Sequence, residues 1–186
     1  PRMPDVQQAD VIHLHWVNQG FLSLGNLERI LASGKPVVVT LHDQWYFTGI
    51  CHYSGDCDKY KTRCEHCPMI KGQGMDLARR VFDRKLAMYK GRNLTFVGCS
   101  RWMANLARDS RLTLGHTVTN IPNAIDTDVF TPMDKLKARK KHNLPTDKRF
   151  LLFGAQRITD ERKGFRYLAE ACEHISKHSS SLSRKL

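Results

Sequence analysis

Pro36-Val-Val-Val-Thr-Leu-His-Asp43 decides how the chain is read. A short β-branched apolar run that opens after Pro and stops at ionisable residues has the signature of a buried strand. Its carboxyl end then carries His42 and Asp43 directly. Just upstream, apolar residues at 24, 27, 30 and 31 recur with a helical period, and Ser33-Gly34 supplies the stop. Earlier still, Asp10-Val-Ile-His-Leu-His15 is another short apolar run. Strand, helix and strand within about thirty residues make a βαβ unit, which requires parallel strands.

The alternation continues downstream. Asp76 is positioned to cap a helix running to residue 90, with apolar positions 77, 81, 82, 86 and 89 on one stripe. Leu94-Thr-Phe-Val-Gly-Cys99 reads as a third strand, followed by a helix over 101–108 with Ser100 as its N-cap. Thr117-Val-Thr-Asn-Ile121 reads as a fourth strand, closed by Pro122. A connector follows, then a short basic helix over 135–142, a strand over 149–154, a helix over 163–178 and a fraying serine-rich tail at 179–183. The fold class is α/β with a Rossmann-like parallel sheet. The expected divisions are 1–122, a connector 123–148, and the start of a second domain over 149–186.

Composition narrows the classes. With 186 residues, 41% hydrophobic and 26% charged, the chain can bury one core and is not low-complexity or collagen-like. No apolar run approaches the ~18 residues of a membrane-spanning helix. The opening Pro1-Arg-Met-Pro-Asp5 lacks the apolar stretch of a signal peptide. The net charge of +12 is uneven: residues 1–57 carry three Lys/Arg against five Asp/Glu, and 58–186 carry 27 against 13. A cationic surface of this kind favours phosphates, nucleic acid or anionic headgroups, although most such runs are simply solvated.

Ligands of open α/β sheets bind at the carboxyl ends of the strands, which makes His42, Asp43, His15 and Ser100 the residues of interest. His42 either contacts a phosphate or sugar oxygen or caps the strand end. Ser100 suits an anion at a helix start, or a plain N-cap. His13 is expected on the face opposite His15. Further on, Gly154-Ala-Gln-Arg-Ile-Thr-Asp-Glu-Arg-Lys-Gly164 joins a strand to a helix without matching a dinucleotide or Walker A loop. Arg157 and Lys163 suit a diphosphate there, one as a planar fork and one as a point charge.

From 43 to 74 the regular pattern gives way to a long Cys-, Gly- and Tyr-rich loop, a length that signals function or a staple. Cys51, Cys57, Cys64 and Cys67 fall within seventeen residues, whereas Cys99 and Cys172 are isolated. Four clustered thiols fit a structural zinc, with His52 and His66 as substitute ligands; two disulfides are the rival.

Several of these segments, in order, resemble retaining family-four glycosyltransferases of the GT-B fold, particularly those of bacterial capsule and exopolysaccharide clusters. Asp10-Val-Ile-His-Leu-His-Trp16 is similar to a strand with its trailing His, and Val37-Val-Val-Thr-Leu-His-Asp43 to the strand bearing the family's active-site His. Val97-Gly-Cys-Ser-Arg-Trp102 resembles the strand ending in Ser, and Ile121-Pro-Asn-Ala-Ile-Asp-Thr-Asp-Val-Phe130 the signature before the interdomain crossing. Residues 154–164 resemble the opening donor loop of the second domain, and Cys51-His-Tyr-Ser-Gly-Asp-Cys57 an insertion in one polysaccharide-cluster subgroup. Ala124 stands where that signature has Gly. The family's glycine-rich loop would precede Pro1 and its E-x7-E motif would follow Leu186. The chain thus resembles a partial GT-B: the latter part of the acceptor domain plus the first strand and helix of the donor domain.

The resemblance implies transfer of a sugar from a nucleotide-sugar to a hydroxyl of a glycan or lipid-linked acceptor, with retention. It implies His42 as the catalytic-site residue, Arg157 and Lys163 on the donor diphosphate, and His15, Ser100 and Asn123 as further ligand contacts. No catalytic metal and no nucleic-acid partner are expected, and the location implied is cytoplasmic, peripheral at the inner face of the plasma membrane. The chain alone is expected to be inactive, since a GT-B cleft needs two lobes. The alternatives are a basic nucleic-acid-binding module with Trp102 and Tyr89 as stacking residues, or a sugar-nucleotide-binding dehydrogenase or epimerase.

Overall fold

The polar stop after each apolar run turns the chain into a repeating strand-and-helix winding. The computed structural model describes residues 3–70 and 74–178, and the tail expected to fray lies outside them. The chain divides into two units, 1–125 and 126–186.

In the first unit, helix α1 (Pro4–Gln8) leads into strand β1 (Ile12–Leu14). Helix α2 (Leu24–Leu31) connects it to β2 (Val37–Leu41). After a long excursion come α3 (Leu77–Tyr89), β3 (Leu94–Gly98), α4 (Arg101–Arg108) and β4 (Thr117–Asn120). The expected caps form: Asp76 and Ser100 accept the backbone N–H of Arg79 and Met103. The short α1, with Pro in its first turn, went unread in the sequence.

All strand pairs are parallel and the order is β1-β2-β3-β4. Every crossover steps to the next position in the same direction, so right-handed connections lay their helices on the same face. Burial follows that rule. Leu14, Val37, Val39, Leu41, Leu94 and Phe96 share the register and the core, while Val38, Thr40 and Thr95 alternate onto the other, half-exposed face. Gly98 ends β3 flush against α4: a Cβ there would stand 2.6 Å from the Ala104 nitrogen.

The 43–76 excursion is a packed segment with short 3₁₀ turns at Trp45–Phe47 and Lys59–Lys61, and its Tyr46, Phe47, Tyr60 and Cys64 join the core. Lys85 of α3 holds it. Fully buried, its ammonium donates to the carbonyls of Trp45, Thr48 and Gly49 and lies 3.5 Å from the Trp45 ring centroid. Three acceptors use all three N–H donors of an ammonium group. Burial drives the Lys85 pKa well below its ordinary value, opposed by Cys64, Asp43 and Cys51 nearby.

The second unit holds α5 (Lys135–Lys141) and α6 (Phe165–His178), and none of its described residues is buried. The strand expected over 149–154 does not form. A strand needs a hydrogen-bonded neighbour, and the described part of this unit contains no other strand.

Two substitutions test this packing by urea denaturation. Lys85→Met keeps the buried stem but strands three carbonyls, and is expected to cost on the order of 3 kcal/mol. Gly98→Ala forces β3 and α4 apart and should cost about 2 kcal/mol or more. An unchanged unfolding midpoint in either variant contradicts the corresponding contact.

Candidate functional site

The parallel register aligns the carboxyl ends of β1 and β2, and four polar residues of the half-exposed face meet there. His15 and His42 join ring to ring, Nδ1 to Nε2, at 2.9 Å, with one nitrogen donating and the other accepting. His13 pairs through Nε2 with the Thr40 hydroxyl at 2.8 Å, and its ring centroid lies 4.3 Å from that of His15. The expectation that His13 faces away from His15 is therefore corrected: residues two apart in an extended segment point to the same side. Desolvation, then the neighbouring His15 and His42, lowers the His13 pKa.

Asp43, buried at the first turn after β2, turns the other way. One carboxylate oxygen accepts the Trp45 N–H at 2.9 Å, and the other meets His52 Nδ1 at 2.6 Å. His52 is fixed further by its carbonyl, which accepts the Gln44 N–H at 3.0 Å, and its side chain remains 43% exposed. Tyr46 links the two groups: its hydroxyl donates to the His15 carbonyl at 2.7 Å, and burial with nearby Asp43 pushes its pKa far up. The sequence alone does not reveal the Asp43–His52 pair; it offers His52 only as a substitute for one of the four cysteine ligands. The signal available was a His following a carboxylate across a loop long enough to fold back.

Ser100 is an exposed N-cap at the end of β3. Asn123 is exposed, three residues past β4. In the second unit, the turn 157–164 opens α6. Asp160 accepts the Arg162 N–H and pairs with the Arg162 guanidinium at 2.7 Å, while Arg157 and Lys163 are exposed. Gly164 takes a φ of +73° to end the Glu161–Lys163 turn, so α6 starts at Phe165 rather than at 163. Of the residues offered for base stacking, Trp102 is exposed, but Tyr89 is buried with its hydroxyl on the Tyr46 carbonyl.

Cys51, Cys57, Cys64 and Cys67 line one small cavity, and all are free thiols. His52 and His66 do not line it. Among the described residues no group of three or more His, Cys, Asp or Glu stands in metal-binding geometry, and no helix is long and apolar enough to cross a membrane.

Over 98 residues the chain is 30% identical to the Escherichia coli K12 protein named "Putative colanic acid biosynthesis glycosyl transferase WcaC". The match takes in 48% of this chain and 24% of that protein, so it spans about a quarter of the relative's length. No family model matches the chain. No solved structure matches it either.

The histidines carry a pH signature. His13 and His116, the latter desolvated against Tyr89 and Phe96, both have pKa values below the ordinary 6.5. Below 6.5 the unfolded chain binds protons that the folded one resists, so stability should fall as pH drops through that window. His13→Gln and His116→Phe should each flatten the fall, measured as urea midpoint against pH. An unaltered slope in both variants contradicts the lowered pKa values.

Proposed function

We propose that this chain is part of a glycosyltransferase of polysaccharide biosynthesis. It moves a sugar from a nucleotide-sugar to a hydroxyl of a glycan or lipid-linked acceptor, with retention, on a two-lobed GT-B framework. The observation that carries the reading is the similarity to the E. coli glycosyl transferase, found in a chain whose parallel sheet gathers His15, His42 and Asp43 at its carboxyl edge. That edge is where open α/β sheets take ligands.

In this reading, His42 contacts the donor sugar or its phosphate at the reaction centre. His15 acts as a positioning residue, since its ring bond to His42 Nε2 fixes the tautomer and orientation of His42. The bond from the anomeric carbon to the diphosphate oxygen breaks, and that oxygen gains negative charge. Arg157 and Lys163, exposed at the opening of α6, neutralise that charge in the complete enzyme. No catalytic metal is needed for this step. The Lys135–Lys141 helix, with Lys137, Arg139, Lys140 and Lys141, provides peripheral contact with the cytoplasmic face of an anionic membrane.

The test is kinetics on the full-length enzyme. Charge on the diphosphate rises as the glycosidic bond breaks, so Arg157→Ala and Lys163→Ala should lower kcat more than they weaken donor binding. The expected losses are on the order of 10²-fold. His42→Ala should lower kcat as well, whereas Lys140→Ala should leave turnover of a soluble acceptor unchanged and weaken only vesicle binding. A raised KM with intact kcat in Arg157→Ala would assign that residue to ground-state binding instead.

A further inference from the structure

Beyond the transfer site, the 43–76 excursion carries a second built feature. Its four cysteines come from three stretches yet line a single cavity of about 20 Å³, together with Ile50, Lys59, Glu65 and Ala78. Each stretch is held by its own contacts. The Cys51 carbonyl accepts the Thr48 hydroxyl at 2.8 Å, and a turn closed by Cys57 N–H on the Ser54 carbonyl presents Cys57.

Between Cys64 and Cys67 the chain reverses through His66, whose φ is +46°, in the left-handed region. The Lys59 ammonium clamps that reversal by donating to the Glu65 and His66 carbonyls at 3.0 and 3.1 Å. His66 N–H donates to Asp76 at 2.7 Å and ties the same turn to the start of α3. Both cysteines of the C-x2-C pair thereby reach the one cavity.

Gly49 adds the most specific element. Its N–H donates to Cys64 Sγ at 3.2 Å. A Cβ at this position would lie 2.6 Å from the Ala78 carbonyl oxygen and 3.0 Å from the Cys64 Cβ, so glycine alone allows this approach. A backbone N–H aimed at sulfur favours the thiolate, the form that binds metals. All four thiols thus face one cavity, as four ligands of a single tetrahedral ion must.

We propose that Cys51, Cys57, Cys64 and Cys67 bind one zinc ion as a tetrahedral tetrathiolate that staples the 50–67 segment beside the carboxyl edge of the sheet. Four soft thiolates around one small space suit a d10 ion of tetrahedral preference. The ion draws the four sulfurs inward from their free-thiol positions. Binding exchanges four thiol protons for one divalent cation, leaving a site of net charge −2 with the Lys59 side chain at its wall. Affinity falls as pH falls, because the protons compete. The role is structural: the staple fixes the segment that carries His52 to Asp43, and it stands or falls independently of the proposed transfer chemistry.

The experiment uses the full chain purified without chelators. Metal analysis should return about one zinc per chain. Replacement by cobalt should give the intense red-region ligand-field bands and near-ultraviolet charge transfer of a tetrathiolate. Each of C51S, C57S, C64S and C67S should lose that spectrum, and C172S should keep it. Removing zinc should speed amide exchange over 50–67 while β2 and β3 keep their protection. A non-reduced intact mass four hydrogens below the reduced one would establish two disulfides and overturn the proposal. So would a metal-free protein whose cobalt spectrum shows no thiolate charge transfer. Should a serine variant fail to fold, the wild-type spectrum and mass still decide.

Discussion

One ammonium group holds the first unit together. Lys85 sits fully buried on α3 and satisfies three consecutive-turn carbonyls of the segment leaving β2. A buried charge is costly unless every donor is met, and here every donor is. The 43–76 excursion therefore cannot drift as a surface loop. Its aromatic residues pack into the core, Asp43 stays at its turn, and Tyr46 reaches the His15 carbonyl. The geometry of the carboxyl edge is set by a residue with no place in the proposed chemistry.

Two polar systems share that edge and face different ways. His13, His15, Thr40 and His42 lie on the half-exposed side of the sheet, where ring-to-ring and ring-to-hydroxyl bonds fix their directions. Asp43 turns inward and reaches across the excursion to His52. Successive residues of one strand end serve both systems because side chains alternate along an extended backbone. The division costs nothing in chain length.

The winding of strands and helices was legible because its signals are local. Valine runs, Asp76 and Ser100 as caps, and Gly34 as a stop each act within one turn or strand. The interior of the excursion was not legible, because the bonds that order it, from Lys85 to the Trp45 and Gly49 carbonyls and from the buried Ser110 hydroxyl to the Phe47 carbonyl, span 36 to 63 residues. His13 was misplaced by a parity error that its register against Val38 corrects. The 149–154 run has the composition of a strand, yet composition cannot supply the neighbour that a strand requires. His42 follows β2 directly, as the sequence pattern implies, but its bond to His15 depends on parallel register, which no single segment encodes.

The one-directional strand order has a consequence for how such a chain can change over generations. Because each right-handed crossover adds its helix to the same layer, a connection at the carboxyl edge can lengthen without reversing the layer or disturbing the next strand. The stretch from β2 to α3 shows how far this goes: some thirty-five residues intervene, and β3 still pairs with β2 residue for residue from Val37 to Leu41. The sheet acts as a fixed bookshelf, and the loops at that edge are volumes that can be exchanged while the shelf keeps its dimensions.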